Sequence, residues 1–170
     1  ALGQSLTSAP IIVTVDDSSR FVNLSTRAFV GSGEQAAILG LVIPPGEGHG
    51  MVLRGIGPTL AGFGVAGALA DARLEVLDST GRRMAVNDNW TDFVPHRTFA
   101  EVGAFELAPG TRDSVIDLGL SPGAYTVRLS GPPGVTGVGL LELYEWDNAS
   151  DRLINLSSRV FVGPNATPAI

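Results

Sequence analysis

A twelve-residue segment occurs twice in the chain, and this repeat limits the possible architectures more than any other feature. Residues 20–31 read RFVNLSTRAFVG, and residues 152–163 read RLINLSSRVFVG, without a gap. The copies differ only by exchanges of similar residues, Phe/Leu, Val/Ile, Thr/Ser and Ala/Val. Self-similarity at a fixed period is typical of tandem arrays, in which neighbouring units complete one another's surfaces. The sequence therefore contains one unit of about 130 residues and the opening strand of another unit.

The repeat divides the chain into three parts. Residues 1–19 are predicted to be an N-terminal extended strand or linker, residues 20–151 the repeat unit, and residues 152–170 a C-terminal strand that repeats the start of the unit. A unit of this size can bury a core without metals or disulfides. The spare strand either closes its own domain or is donated to another molecule.

The apolar stretches are short, rich in β-branched residues and bounded by Gly, Pro, Asn or Asp, which predicts strands. We expect strands near residues 10–15, 21–29, 36–43, 50–55, 73–78, 83–87, 114–119, 124–130, 137–146 and 153–162. Single helical turns are expected near 59–63 and 94–102. This spacing predicts an all-β fold, a two-sheet β-sandwich or jelly roll with extended terminal strands.

Composition argues against several partners and chemistries. The net charge is −6 without a basic cluster, so we expect no binding to nucleic acid. No apolar run approaches the roughly 18 residues that cross a bilayer, so we expect no membrane insertion. The chain has neither cysteine nor lysine, which excludes disulfides and lysine-based cross-links. Units must therefore join non-covalently.

Catalytic and cofactor motifs are weak. Gly62, Gly64 and Gly67 spell G-x-G-x-x-G, but the predicted strands offer no βαβ unit to support a dinucleotide. The two histidines, His49 and His96, have no partner at metal-ligand spacing, and no G-x-S-x-G elbow occurs. We therefore predict a protein that is not an enzyme and that has no organic cofactor.

A candidate Ca²⁺ site lies after the strand predicted at 83–87. Asn87, Asp88 and Asp92 supply short oxygen ligands of the kind that a hard cation prefers. The same residues also favour a plain turn, because Asp and Asn bond their own backbone.

Glycosylation is a further possibility for an exported chain. Five Asn-x-Ser/Thr sequences occur, and Asn148 and Asn165 are the better predicted acceptors of glycans if the host glycosylates.

Several stretches, among them LRGIGPTL and SPGAYTVRLSG, resemble the tandem modules of large secreted bacterial surface proteins, over nearly all of residues 20–163. The half from LEVLDSTG through NDN to PGAYTVRLSG is similar to the bacterial pre-peptidase C-terminal domain. That family is a jelly-roll sandwich appended to secreted enzymes, and some members bind Ca²⁺ near the position matched by Asn87 and Asp88. The resemblance implies a β-sandwich and export to the cell surface, and the Ala1 start leads us to expect that any signal peptide has been removed.

Together these features predict a secreted structural subunit that self-assembles head to tail into an extracellular filament by strand exchange. An incomplete sandwich exposes an apolar groove and unpaired backbone groups, and a strand from another chain satisfies both. The predicted subunit-interface residues are Ile11, Ile12, Val13 and Val15 in an N-terminal donor, or Leu153, Ile154, Leu156, Val160 and Phe161 in a C-terminal one. The N-terminal donor is slightly favoured, because PIIVTV has no counterpart in the repeat.

Two further expectations concern the repeat and its rival interpretation. Phe29 and Phe161 should both face apolar cores, and the two copies should compete for one kind of groove. The alternative function is a non-catalytic adhesion or carbohydrate-binding module from a larger secreted protein.

Overall fold

The computed structural model describes residues 23–90, 96–146 and 152–162, without the side chains of 96–98. Within these ranges the chain forms nine strands, two short α-helices and one 3₁₀ turn (Gly33–Gln35). The strands are β1 (Asn23–Val30), β2 (Ala37–Ile43), β3 (His49–Ile56), β4 (Arg73–Asp78), β5 (Arg83–Asn87), β6 (Ser114–Leu120), β7 (Gly123–Ser130), β8 (Gly137–Glu145) and β9 (Asn155–Arg159). The helices are α1 (Pro58–Gly62) and α2 (His96–Val102).

The strands form two antiparallel sheets that pack face to face. The four-stranded sheet has the order β1-β8-β3-β6, and the five-stranded sheet has the order β5-β4-β7-β2-β9. β1 lies across from β2, and β6 lies across from β5. The predicted all-β two-sheet sandwich is confirmed, together with both short helices, whereas the strand predicted at 10–15 lies outside the described residues.

The first core lies between the sheets and follows directly from the two-residue period of strands. In β2, every second residue is buried, namely Ala37, Leu39, Leu41 and Ile43. Alternating residues of the other strands meet them, and they include Val30, Met51, Leu53, Leu74, Val76, Val127, Leu129, Leu141 and Leu143.

A second core covers the outer face of the four-stranded sheet. β3 is buried along its whole length, so that Met51 and Leu53 face the first core while Val52 and Ile56 face the second. The second core is completed by side chains from the helices and loops, namely Leu60, Trp90, Phe99, Ala104 and Leu107. Four strands on each side therefore enclose the main core, and β9 is an added strand at the edge of the five-stranded sheet.

Candidate assembly interface

The first copy of the repeat forms β1, an edge strand of the four-stranded sheet. It pairs only with β8, from Asn23 opposite Tyr144 to Val30 opposite Gly137. Its inward face consists of Leu24, Thr26, Ala28 and Val30, and its outward face consists of Asn23, Ser25, Arg27 and Phe29. Among the described residues, no strand lies beside the second edge of β1, and an unpaired edge of this kind is a template for pairing with another strand.

The second copy forms β9, which pairs with β2 at the edge of the five-stranded sheet. Leu41 stands opposite Leu156, and Gly40 stands opposite Ser157. Three polar contacts also join this segment to the domain: Ile154 N donates to Val42 O (2.9 Å), Ser157 Oγ donates to Gly40 O (3.4 Å), and Arg159 Nη1 lies 3.7 Å from Glu34 Oε2. The C-terminal copy therefore seats on its own domain in this molecule.

Both copies are strands, but they occupy edges of different sheets. The expectation that they compete for one kind of groove is wrong, because β1 is one of the eight strands that enclose the core while β9 extends the other sheet. The sequence does not reveal this difference, since it depends on how many strands each sheet already contains.

The expectation that Phe29 and Phe161 face apolar cores is also wrong. Their exposed fractions are 43% and 36%. Leu24 and Leu156 point inward, and side chains alternate along a strand, so the phenylalanines five positions later point outward.

The predicted interface residues divide into three groups. Leu153, Leu156 and Val160 are partly buried against the core of their own domain. Ile154 and Phe161 are exposed. The N-terminal set of Ile11, Ile12, Val13 and Val15 lies outside the described residues, as do Asn148 and Asn165. Contact with another subunit stays a prediction for all of these residues.

The candidate Ca²⁺ ligands are only partly described. Asn87 Oδ1 accepts a hydrogen bond from Val115 N (3.2 Å) and so links β5 to β6. The exposed Asp88 carboxylate accepts from Asn89 Nδ2 (3.3 Å) and lies 3.6 Å from Arg73 Nη1. Asp92 lies outside the described residues, and those that are described bring no three acidic or histidine side chains together around a metal position. Calcium binding stays a prediction.

A fully buried arginine fastens the second core to the four-stranded sheet. The Arg54 guanidinium lies over the rings of Phe99 (4.8 Å) and Phe105 (4.2 Å), and its Nε is 3.3 Å from Glu142 Oε2. Burial lowers the pKa of Arg54, an effect that Glu142 opposes. Tyr144 Oη donates to Glu142 Oε1 (3.0 Å), and burial together with Glu142 raises the pKa of Tyr144 to about 12. The burial of Arg54, Glu142 and Tyr144 is therefore explained by their contacts, which hold the second core against the four-stranded sheet.

Asp113 is a second buried group that the sequence did not single out. Its Oδ1 accepts from the backbone amides of Gly57 (2.7 Å) and Thr59 (3.4 Å), and its Oδ2 accepts from the Thr59 hydroxyl. Free amides at a helix start need such an acceptor. Asp113 therefore anchors the start of α1.

One exposed aromatic ring is held in a fixed position. Trp146 is 46% exposed, and its Nε1 donates to Asp117 Oδ1 (3.1 Å). Its ring lies against Gly50, where a Cβ atom would come within 2.5 Å of the indole. Burial raises the pKa of Asp117, and the bond from Trp146 opposes that rise. This surface is the described feature that best fits a ligand-binding module.

Comparison with known proteins assigns no family to the chain. No protein-family model matches it, and no curated protein gives a significant match. The described part of the chain contains no helix of the length and apolar character needed to cross a membrane.

Proposed function

We propose that the protein is a secreted, non-catalytic structural subunit that assembles head to tail into an extracellular filament by exchanging a strand between neighbouring molecules. The proposal rests on one observation. The edge of β2 from Ile38 to Val42, which we call the seat, is occupied by β9, and the sequence of β9 copies that of β1. Export is supported by the resemblance of the sequence to secreted surface modules.

The weak attachment of β9 supports exchange. Complete burial of an apolar side chain stabilises by about 1.5–3 kcal/mol, so three half-buried side chains contribute about 3 kcal/mol. Hydrogen bonds of the ladder contribute about 1 kcal/mol each. Ordering the backbone from Leu153 to Val160, the stretch that carries these three side chains, costs about 1–2 kcal/mol per residue. These terms nearly cancel, so β9 leaves its seat at small cost.

A one-way exchange leads to a filament. A terminal strand of one molecule and the β2 edge of another are different surfaces, and contacts between different surfaces propagate when they do not close into a ring. Incoming strands also cover backbone groups that would otherwise invite irregular aggregation.

Assembly of the full chain at rising concentration tests the proposal. Sedimentation velocity and electron microscopy should reveal filaments. Replacing Ile11 and Val13 with Asp abolishes filaments if the N-terminal segment is the donor, and replacing Leu156 and Val160 with Asp abolishes them if the C-terminal segment is. Phe63→Asp is the control, because Phe63 is 63% exposed in the loop after α1. Filaments that survive both pairs of substitutions contradict strand exchange.

Carbohydrate binding is the second candidate function, and Trp146 is the observation that favours it. A rigid, half-exposed indole beside a carboxylate offers an apolar face and a hydrogen-bond acceptor to a sugar ring. Titration with soluble oligosaccharides, followed by tryptophan fluorescence, should then give a saturable change that Trp146→Ala removes. A response that persists in Trp146→Ala contradicts this site.

A further inference from the structure

The two copies of the repeated strand use opposite edges for their hydrogen bonds. In an antiparallel pair, directly opposite residues either exchange both backbone bonds or point them away, in alternation. Leu143 O accepts a bond from Asn23 Nδ2, so this carbonyl faces β1, and its opposite residue is the inward-facing Leu24. β1 is therefore bonded to β8 through its inward-facing residues.

β9 uses the other set of residues. Gly40 O accepts from Ser157 Oγ and Val42 O accepts from Ile154 N, so these carbonyls face the β9 side. The residue opposite Gly40 is Ser157, which points outward. β9 is therefore bonded to β2 through its outward-facing residues.

Strand directions lead to the same result independently. Gly131 N donates to Gly31 O (3.2 Å), which places the ends of β7 and β1 together, so these strands run the same way. β7 and β9 are both antiparallel to β2, so β9 also runs in the direction of β1. β1 and β9 belong to different sheets, and the core-facing sides of the two sheets point in opposite directions. β9 is therefore rotated by half a turn about its long axis relative to β1. Such a turn exchanges the two edges of a strand.

The free edge of β1 is consequently the edge that β9 presents to β2. We propose that a second copy of this chain docks its β1, still paired with its own β8, onto the β2 edge in place of β9. In the register of β9, Ser25 of the second copy then stands opposite Gly40 and Arg27 stands opposite Ile38. The proposal goes beyond the filament contact, because it needs only β1 and β2 and neither terminal segment.

The side chains of β1 suit this seat. Leu156, Ser157 and Arg159, which contact the seat from β9, correspond to Leu24, Ser25 and Arg27 in β1. The four outward residues, Asn, Ser, Arg and Phe, are identical in the two copies. These residues are exposed in both strands, and equivalent residues make different contacts, since Ser25 Oγ donates to Glu142 and Ser157 Oγ donates to Gly40 O. Contacts within one molecule therefore do not account for the identity of the two sets. A strand that must fit beside both β8 and β2 does require it.

The docked pair has a defined shape. The five-stranded sheet of one molecule, without β9, continues through β1 of the other into that molecule's four-stranded sheet. β1 and β2 lie on the same side of the sandwich. The second copy therefore covers that side, and the contact joins molecules in pairs.

Disulfide cross-linking tests this contact, because the chain has no cysteine of its own. We would mix full-length Ser25→Cys with full-length Gly40→Cys. Directly opposite residues in an antiparallel pair have Cα atoms about 4.5–5.5 Å apart, within disulfide range. The control partner is Gly119→Cys, an outward-facing glycine of β6 with open space around it. The proposal predicts that Ser25→Cys forms a disulfide-linked dimer with Gly40→Cys about tenfold faster than with Gly119→Cys, because docking raises the local thiol concentration.

Three more variants keep the outcome decisive. Leu156→Asp in the Gly40→Cys chain loosens β9 and should speed cross-linking further. Arg27→Pro in the Ser25→Cys chain removes an N–H from the free edge of β1 without removing a bond to β8, so the dimer rate should fall to that of the control. Arg27→Ala, which keeps the N–H, should retain most of the rate. Equal rates for Gly40→Cys and Gly119→Cys, with and without Leu156→Asp, overturn the proposal, and so does an Arg27→Pro rate equal to that of Arg27→Ala.

Discussion

Leu156→Asp should release β9 while the rest of the sandwich stays folded. Leu156 is the partly buried residue of β9 that stands opposite Leu41. A carboxylate at this position cannot stay in an apolar core without a partner. We expect the strand to detach instead. The loss of stability therefore cannot exceed the free energy that binding of β9 to the β2 edge contributes.

The expected loss is about 1–2 kcal/mol, because the gains of seating β9 nearly cancel its ordering cost. Leu24→Asp is the matched control at the equivalent position of the repeat. It disrupts β1, an eight-residue strand that ends in the fully buried Val30. A strand integral to the core cannot leave so easily, so this variant should lose about 3–5 kcal/mol.

Urea denaturation and amide hydrogen exchange measure these effects. In Leu156→Asp, the amides of β9 and the amide of Gly40, which faces it, should exchange rapidly while those of β3, β7 and β8 keep their protection. Equal stability losses in the two variants, or a general loss of protection in Leu156→Asp, would refute the view that β9 is an added strand.

Other expectations concern the buried groups and the candidate metal. Arg54→Met should lower the free energy of unfolding by about 3–5 kcal/mol, because it leaves Glu142 buried without its cation. Adding Glu142→Leu should restore much of this stability. A denaturation experiment in which the double variant shows no recovery contradicts the pairing of Arg54 with Glu142. Asn87→Ala should lose about 1 kcal/mol with the bond to Val115, whereas Asp88→Ala should change the free energy of unfolding little. Burial alone would raise the pKa of Glu75, but bonds from Arg128 and Arg73 hold it below its ordinary 4.5, so the stability it provides is complete above that pH and is lost as pH falls below it. Glu75→Gln should therefore make the free energy of unfolding fall less steeply as the pH is lowered. An unchanged fall in stability at acid pH contradicts this role of Glu75. If Ca²⁺ binds, millimolar Ca²⁺ raises the melting temperature of the native chain and not of Asp88→Ala; no rise over chelator removes the site.

Local chemistry was enough to predict the nine strands of the described residues. Alternating apolar residues in β2 and the glycine- and proline-rich turns around it specify a half-buried strand without knowledge of its neighbours. The pairing of β4 with β5 as a hairpin can also be predicted locally, because a short turn joins the two strands.

The second core and the place of β9 were missed for physical reasons. β3 carries apolar residues on both faces, and this pattern indicates a strand covered on both sides, but Arg54 in its middle conceals the signal. The position of the C-terminal copy depends on the strand count of each sheet. That count is a property of the assembled fold and not of any segment.

Cryo-electron microscopy of the full-length chain at high concentration tests the central claim most directly. The account predicts filaments in which the strand bound to each β2 edge, either β9 with Ser157 opposite Gly40 or the N-terminal segment in that place, belongs to a neighbouring molecule. A protein that stays monomeric at every concentration, or a filament in which every β2 edge carries β9 of its own chain, would contradict the account.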